Sequence, residues 1–297
     1  MKTNVLRGIL TLLIVVNYGC NQAPEQVPDE VPVTDQPKED PQPMRNPVPE
    51  KLVESEKPQT GKSFSHPTLP LEMIWVDPGH YWMGSRADNA PDNEKPNALV
   101  SISTGFWLAT YETTQELYQA VTNENPSEFK FPRQPVEYVA YYEAEIFCEK
   151  LTAFEKQQGR LPDNYSYHLP TESQWEFVAK GGSEASKEEF PPFEYYVWHK
   201  GNCKSPNIVG LKEPHPLGFY DILGNVSELC YGRYATLPSL PKKDWIGPQD
   251  GRFCVARGGN WFVDPSQCTP TVRLDTLPTF QMAHIGFRVA LSDILNR

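Results

Sequence analysis

The pattern of hydrophobic and polar positions changes twice along the 297-residue chain. Residues 8–16 form one apolar run. Residues 21–70 contain eleven prolines, many acidic residues and a single Phe, Tyr or Trp residue, Phe64. From residue 71 onward, apolar residues recur at the spacings that strands and helices require. We therefore predict three parts: a signal segment over 1–20, an extended linker over 21–70, and one folded domain over 71–297, which is long enough to form a core.

Short strands are expected at the start of the domain. Met73–Val76 is a compact apolar run, and a Pro78-Gly79 turn separates it from a second run, Tyr81–Ser85. Apolar and polar residues alternate over Val100–Leu108, which predicts a third strand. From Tyr195 to the end, the pattern indicates short strands joined by long loops.

Three helices are expected between these strands. The first covers Thr113–Val121, with Thr113 and Thr114 as capping candidates. The second covers Tyr141–Phe154. Its apolar residues fall on one face: Ala144, Phe147, Cys148 and Leu151. A third helix begins at Thr171 and ends at the glycine pair 181–182. This order of elements predicts a loop-rich α+β domain.

The N-terminus has the layout of an export signal. Lys2 and Arg7 precede an apolar run that is too short to span a bilayer, which needs roughly 20 residues. Gly19-Cys20 resembles the bacterial lipobox, in which the cysteine is acylated, although Asn17 stands where an aliphatic residue is usual. The resemblance implies a lipid anchor at Cys20 and a place in the cell envelope, and Asn21 favours the outer membrane or a periplasm-facing site. An ordinary secreted protein and an uncleaved anchor remain as alternatives.

The linker and the net charge narrow the range of partners. A proline-rich segment favours extended polyproline II, so fifty residues would reach on the order of 150 Å. The net charge is −11, and the chain has no run of Lys and Arg that could follow a phosphate backbone. We therefore expect a membrane attachment through the anchor, a protein or glycan ligand, and no nucleic-acid partner.

Seven short motifs, in order, resemble the sulfatase-modifying-factor family, whose oxidases generate formylglycine. Each motif is weak alone, but their order and spacing over some 200 residues are specific. The motifs are Tyr81–Ser85, Ala109–Thr114, Gln134–Val139, His168–Glu176, Gly218–Glu228, Arg257–Trp261 and Gly286–Ala290. The resemblance implies a variant of the C-type lectin fold. Arg288 and Glu176 lie in apolar surroundings within these motifs, so a buried pair of some kind is expected if they are covered.

The Gly218–Glu228 motif resembles a loop that binds calcium in this family. Carried over, Asp221 and Glu228 would offer side-chain oxygens, while Gly224 and Val226 would offer backbone carbonyls. Calcium accepts such a mixed oxygen shell. The alternative is a tight turn in which the two acids bond to the backbone.

In the family's oxidases, two cysteines follow the glycine pair of the motif that corresponds to Arg257–Trp261, and they bind copper(I). Here the first position is Val263 and the second is Cys268, so one family thiol remains as the catalytic candidate. Asn260 stands at the family's serine and Ser227 at its tryptophan. Copper binding is therefore not expected. Among the other cysteines, Cys230 and Cys254 flank neighbouring strands and form a candidate disulfide.

Two main functions are compatible with these residues. The first is a non-catalytic binding or scaffold domain on a tether, whose ligand surface lies on the loops at 198–202 and 260–280, with Asn260, Trp261, Phe262 and Phe280 as candidates. These aromatic residues could equally belong to the core. The second is a formylglycine-generating oxidase or a relative with altered chemistry. A structural spacer is the third alternative.

Overall fold

The computed structural model describes residues 53–54, 57–183 and 192–293. The predicted signal segment, Cys20 and most of the predicted linker lie outside these residues. Within them, thirteen strands, four α-helices and two short 3-10 turns are found, and no helix is long and apolar enough to cross a bilayer. The fold class is thus mixed helix and sheet, as the sequence predicts.

A six-stranded sheet forms the centre of the domain. Its strands, in spatial order, are β1 (Val53–Glu54), β2 (Phe64–Ser65), β3 (Glu72–Val76), β6 (Phe106–Ala109), β13 (Ala290–Asp293) and β7 (Tyr165–His168). Apolar residues cover both faces: Trp107 of β6 packs into one core cluster and Leu108 into the other. Because β6 is buried on both faces, its sequence is continuously apolar rather than alternating.

Two smaller sheets complete the β structure. The four-stranded sheet has the order β11 (Arg273–Thr276), β10 (Cys254–Arg257), β8 (Ser227–Arg233) and β12 (Ile285–Gly286). The three-stranded sheet has the order β4 (Gly79–Met83), β5 (Ala98–Ile102) and β9 (Lys242–Lys243). The single strand predicted over Val100–Leu108 is therefore two strands in different sheets, since the chain turns at residues 103–105 and Ser103 bonds to Asp244.

Three of the four described helices begin within two residues of the predicted starts, whereas the short α4 was not predicted. They are α1 (Gln115–Thr122), α2 (Tyr141–Gln157), α3 (Glu172–Ala179) and the short α4 (Phe193–Tyr196), and the 3-10 turns cover Asp92–Glu94 and Pro265–Gln267. The hydroxyl oxygens of Thr114 and Thr171 accept the Leu117 and Gln174 N–H groups at 3.2 and 3.1 Å, so both threonines cap their helices.

The predicted disulfide between Cys230 and Cys254 is not formed. All described cysteines are free thiols. In the β8–β10 ladder, Cys230 pairs with Val255 rather than with Cys254. Successive side chains of a strand point to opposite faces, so Cys254 packs into one core cluster and Cys230 into the other.

The folded domain begins before residue 71, where the sequence placed its boundary. Phe64 is buried in the core, and its strand pairs with Met73. His66 is buried as well. Its Nδ1 accepts the Thr68 and Leu69 N–H groups, which leaves Nε2 to donate to Glu155 of α2 at 2.7 Å. The sequence did not reveal this earlier start of the domain, because only Phe64 and His66, within a polar stretch, attach the segment to the core.

Replacing Glu155 by glutamine is expected to weaken the contact between His66 and helix α2. Burial alone would raise the pKa of Glu155, but hydrogen bonds from His66 and Arg160 outweigh burial and lower the pKa below 4.5. A lowered folded-state pKa stabilises the fold above pH 4.5, and this stability is lost as pH falls through the folded value. We expect Glu155→Gln to lower the free energy of unfolding by about 1–3 kcal/mol at pH 7 and by less near pH 4. Urea unfolding at pH 7 and pH 4 measures this loss of stability, with the exposed Glu128→Gln as the control. Equal losses at both pH values would contradict a lowered pKa for Glu155.

Candidate functional site

Three loops meet at one end of the four-stranded sheet. β8 begins at Ser227, β10 ends at Arg257, and the antiparallel register places Arg257 opposite Glu228. β12 runs parallel to β8, with Ile285 opposite Ser227. The loop before β8, the loop after β10 and the loop before β12 therefore come together, although they lie far apart in sequence.

Backbone hydrogen bonds join these loops to each other and to residues 198–203. Gly224 N donates to Gly258 O at 2.9 Å, and Trp261 N donates to Asn225 O at 2.8 Å. Asn225 N donates to Trp198 O at 3.1 Å, and Lys200 N donates to Val263 O at 3.1 Å. Bonds between separate loops hold the site rigid, which suits a preformed binding surface.

The two polar substitutions in the family motifs contact each other. Asn260 Nδ2 donates to Ser227 Oγ at 2.9 Å, and Ser227 Oγ donates to Gly259 O at 3.1 Å. Asn260 Oδ1 accepts the Phe262 N–H. Both side chains are buried, so Asn260 is not a surface residue, contrary to the prediction. Its role here is to shape the turn that carries Trp261 and Phe262.

The remaining family thiol is enclosed. Cys268 is 1% exposed, and its thiol donates to Asn260 O across 3.9 Å. Burial, together with the charge of Cys203, raises the pKa of Cys268 to about 12. The Val263 side chain packs against the same core cluster as Cys268. Because the thiolate is the metal ligand and the nucleophile, a protonated buried thiol is chemically quiet near pH 7.

A second cysteine lies in this region that sequence reasoning did not place there. Cys203 is half-buried, and its thiol donates to His199 O at 3.3 Å. Burial raises its pKa, while the Lys212 ammonium lowers it. Cys203 lies 65 positions before Cys268, so no local spacing could reveal that the two thiols interact.

Four aromatic side chains form a chain of ring contacts, which we name the aromatic ridge: Phe129, Trp261, Phe262 and His284. The ring centroids are 5.8, 5.4 and 6.0 Å apart in that order. Phe262 is 60% exposed, whereas Trp261 is half-buried and its Nε1 donates to Ala283 O. Phe280 is 46% exposed on the loop before β12. Burial lowers the pKa of His284, so the ridge is uncharged at pH 7.

The loop predicted to bind calcium rests on Glu112, a residue the sequence did not assign to it. Glu112 accepts Asn225 Nδ2 at 2.6 Å and Val226 N at 3.0 Å. Asp221 Oδ2 accepts Gly210 N, and its other oxygen is buried without a hydrogen-bond partner. Burial raises the pKa of Asp221 to about 6; burial and the charges of Asp221 and Glu228 raise that of Glu112.

The predicted calcium shell fits this arrangement only in part. The free Asp221 oxygen suits a cation, but both Glu228 oxygens accept Arg288 at 2.7 Å and one also accepts Trp175 Nε1. In the part of the chain that the structure describes, no three His, Cys, Asp or Glu residues are grouped to hold a metal. Glu228 is thus an ion-pair partner rather than a ligand, and calcium at Asp221, Gly224 and Val226 stays a prediction.

Arg288 and Glu176 are both buried and both form ion pairs, each with its own partner. Arg288 pairs with Glu228, whereas Glu176 pairs with Arg257 and with Lys180. A second carboxylate, Glu172, is shared by Arg257 and Arg273. Each of these three carboxylates, Glu172, Glu176 and Glu228, thus has a cationic partner, as burial of a charge demands.

Comparison with known proteins agrees with this geometry. The family model for the sulfatase-modifying factor enzyme 1-like domain matches residues 59–293. The chain belongs to this family. The match begins at residue 59, close to where the structure places the start of the folded domain.

Relatives in the sulfatase-modifying factor family differ in what they do. The chaperone protein LppX of Paenibacillus barcinonensis is 26% identical over 202 residues, covering 52% of this chain and 69% of that protein. The formylglycine-generating enzyme of Thermomonospora curvata is 26% identical and covers 54% of this chain. An inactive C-alpha-formylglycine-generating enzyme 2 from Mus musculus is 28% identical and covers 53%. The chain spans about half the length of these last two, 56% and 49%.

A solved family structure supports the fold directly. The Treponema denticola variable protein 1 superimposes with a TM-score of 0.67 at 26% identity, covering 77% of this chain and 98% of that one. The sulfatase-modifying factor family thus includes an enzyme, an inactive relative and a chaperone, so membership alone does not assign an activity. The residues at the site must do so.

Proposed function

We propose that this protein is a non-catalytic binding or scaffold domain, tethered at the bacterial cell envelope. One observation carries the proposal. The position of the first family thiol holds Val263, and the position of the second holds a buried thiol whose pKa is about 12. A copper(I) site of two soft thiolates requires two accessible sulfur atoms that lose their protons readily.

We place the ligand surface of the proposed domain on the aromatic ridge and on Phe280, which is exposed on the loop before β12. Phe262 is exposed and the other three rings are half-buried, on loops that backbone hydrogen bonds hold in place. Aromatic residues on a rigid surface provide contact area at low entropic cost, and they dominate the affinity of many interfaces. The ridge is uncharged at pH 7, which favours a protein or glycan ligand over a strongly charged one.

The tether of the proposed domain is the lipid anchor at Cys20. The apolar run 8–16 and the Gly19-Cys20 pair support the anchor, and the proline-rich segment that follows supports a long spacer. In this proposal the spacer holds the aromatic ridge away from the membrane, in reach of a partner.

A formylglycine-generating oxidase is the alternative function. It is favoured by the relatives that have this activity and by Cys203, whose charge acts on Cys268. In that case Cys203 and Cys268, which lie further apart in the sequence than the family's two cysteines, would together replace that pair.

Copper(I) titration of the wild type and of Val263→Cys separates the two functions. We expect no stoichiometric binding by the wild type. One copper per chain is expected after Val263→Cys, because copper(I) on the new thiolate can displace the proton of Cys268 and so complete the pair. The matched control Val263→Ser keeps a small polar side chain without sulfur and should not bind. Stoichiometric binding by the wild type, abolished by Cys268→Ser, would overturn the proposal.

A further inference from the structure

A groove of about 410 Å³ opens between helix α2 and strand β7, away from the loops of the candidate site. Cys148 of α2 and Tyr167 and Leu169 of the β7 segment line it, and Tyr231 of β8 forms another part of its wall. Its lining is mostly apolar, and its volume lies within the roughly 300–1,000 Å³ of small-ligand pockets.

Two carboxylates of α2 also line the groove. Glu145 and Glu149 are one helical turn apart, at a spacing where like charges repel. Burial raises the pKa of Glu145, and the Glu149 charge raises it further, while the Tyr141 hydroxyl and Arg233 lower it. Within the described part of the chain, neither carboxylate forms an ion pair. An added cation between them would relieve this repulsion.

The neighbouring cations of the protein are engaged elsewhere. Lys156 of the same helix also lines the groove, and its ammonium donates to Asp163 O at 2.7 Å. The Arg233 guanidinium lies over the Tyr141 ring at 4.7 Å and donates to Cys254 Sγ at 2.9 Å. Neither cation forms an ion pair with the two carboxylates, although the Arg233 charge lowers the pKa of Glu145, so the groove keeps an acidic side beside its apolar lining.

We propose that this groove binds a primary ammonium group at the end of a short apolar chain, as a lysine side chain of a partner protein presents it. The alkyl stem packs along Ala153 and Tyr231, and the ammonium is held by Glu145 and Glu149. Long cationic side chains combine an apolar stem with a charged head in this way. The site is separate from the aromatic ridge, so it stands or falls independently of the proposed function.

The probe is n-hexylammonium, titrated into the isotope-labelled full-length chain and followed by amide chemical shifts. We expect saturable shifts confined to α2 and β7, with a midpoint in the millimolar range that suits so small a ligand. 1-Hexanol should bind at least tenfold more weakly, and hexanoate should produce no saturable shift. The paired substitution Glu145→Gln and Glu149→Gln should weaken hexylammonium binding at least tenfold.

Filling the groove gives a second, independent variant. Ala153→Trp occupies the groove from the exposed side of α2 and should abolish the shifts, while the control Ala120→Trp on exposed α1 should leave them unchanged. Lysine amide should shift the same amides as hexylammonium. The proposal is overturned if no saturable shift occurs, if hexanoate acts equally, if the glutamine pair binds as tightly as the wild type, or if lysine amide fails to bind.

Discussion

Replacing Arg288 by methionine should lower the free energy of unfolding by about 3–5 kcal/mol, the usual cost of breaking a buried ion pair by removing one partner. Arg288 is fully buried, and its guanidinium holds both oxygens of Glu228 as well as the carbonyls of Ala109, Thr110 and Tyr220. Methionine fills most of the volume but donates nothing. Glu228 would then lie beside Glu112 and Asp221 without a compensating cation.

Urea unfolding, followed by circular dichroism, measures the effect of Arg288→Met. The matched control is Arg252→Met, which removes an exposed arginine that lies over the Phe253 ring at 5.1 Å. Exposed cation–π contacts contribute about 0.5–1 kcal/mol, so the control should lose no more than that. A loss below about 1 kcal/mol for Arg288→Met would show that Glu228 has another partner, such as a bound cation.

Replacing Gly224 by alanine should cost about 2–5 kcal/mol. Gly224 has φ +82°, and an added Cβ would lie 2.2 Å from Trp198 O and 2.7 Å from a Val197 methyl carbon. The left-handed conformation disfavours alanine by about 1–2 kcal/mol, and forcing atoms into a packed interior adds about 1–3 kcal/mol. The close approach is to backbone that hydrogen bonds hold in place, so the loop cannot simply move aside.

Gly159→Ala separates the two contributions. Gly159 has φ +67°, and an added Cβ there meets nothing within 4 Å. This variant should therefore show the left-handed cost alone, about 1–2 kcal/mol. If Gly224→Ala costs no more than Gly159→Ala in thermal unfolding, the contact between residue 224 and the 197–198 backbone is not tight.

Much of the local structure could be predicted from the sequence, because it depends on neighbouring residues. Thr114 and Thr171 precede apolar periodic segments, and both cap helices as expected. The ordered motifs correctly indicated the family and the α+β fold. The end of β5 was missed because an alternating pattern does not show where a chain leaves one sheet for another.

The arrangement of the site could be predicted only in part. Charged residues in apolar surroundings indicated buried ion pairs but not their partners. Arg288 pairs with Glu228 because β8 and the β12 segment are neighbours in the sheet. Asn260 is buried, and its side-chain amide donates to the hydroxyl of Ser227, which lies 33 positions away in the sequence. Phe129, His284 and Cys203 join the site from three distant segments, which no local pattern connects.

The central claim is that the site binds without catalysing formylglycine formation. The most direct test incubates the full chain with copper(I), oxygen and a peptide containing Cys-x-Pro-x-Arg, and follows the peptide by mass spectrometry. The formylglycine-generating enzyme of Thermomonospora curvata, under identical conditions, is the positive control. We predict that the peptide cysteine remains unchanged with this protein while the control converts it. Conversion by this protein, lost on Cys268→Ser, would contradict the account.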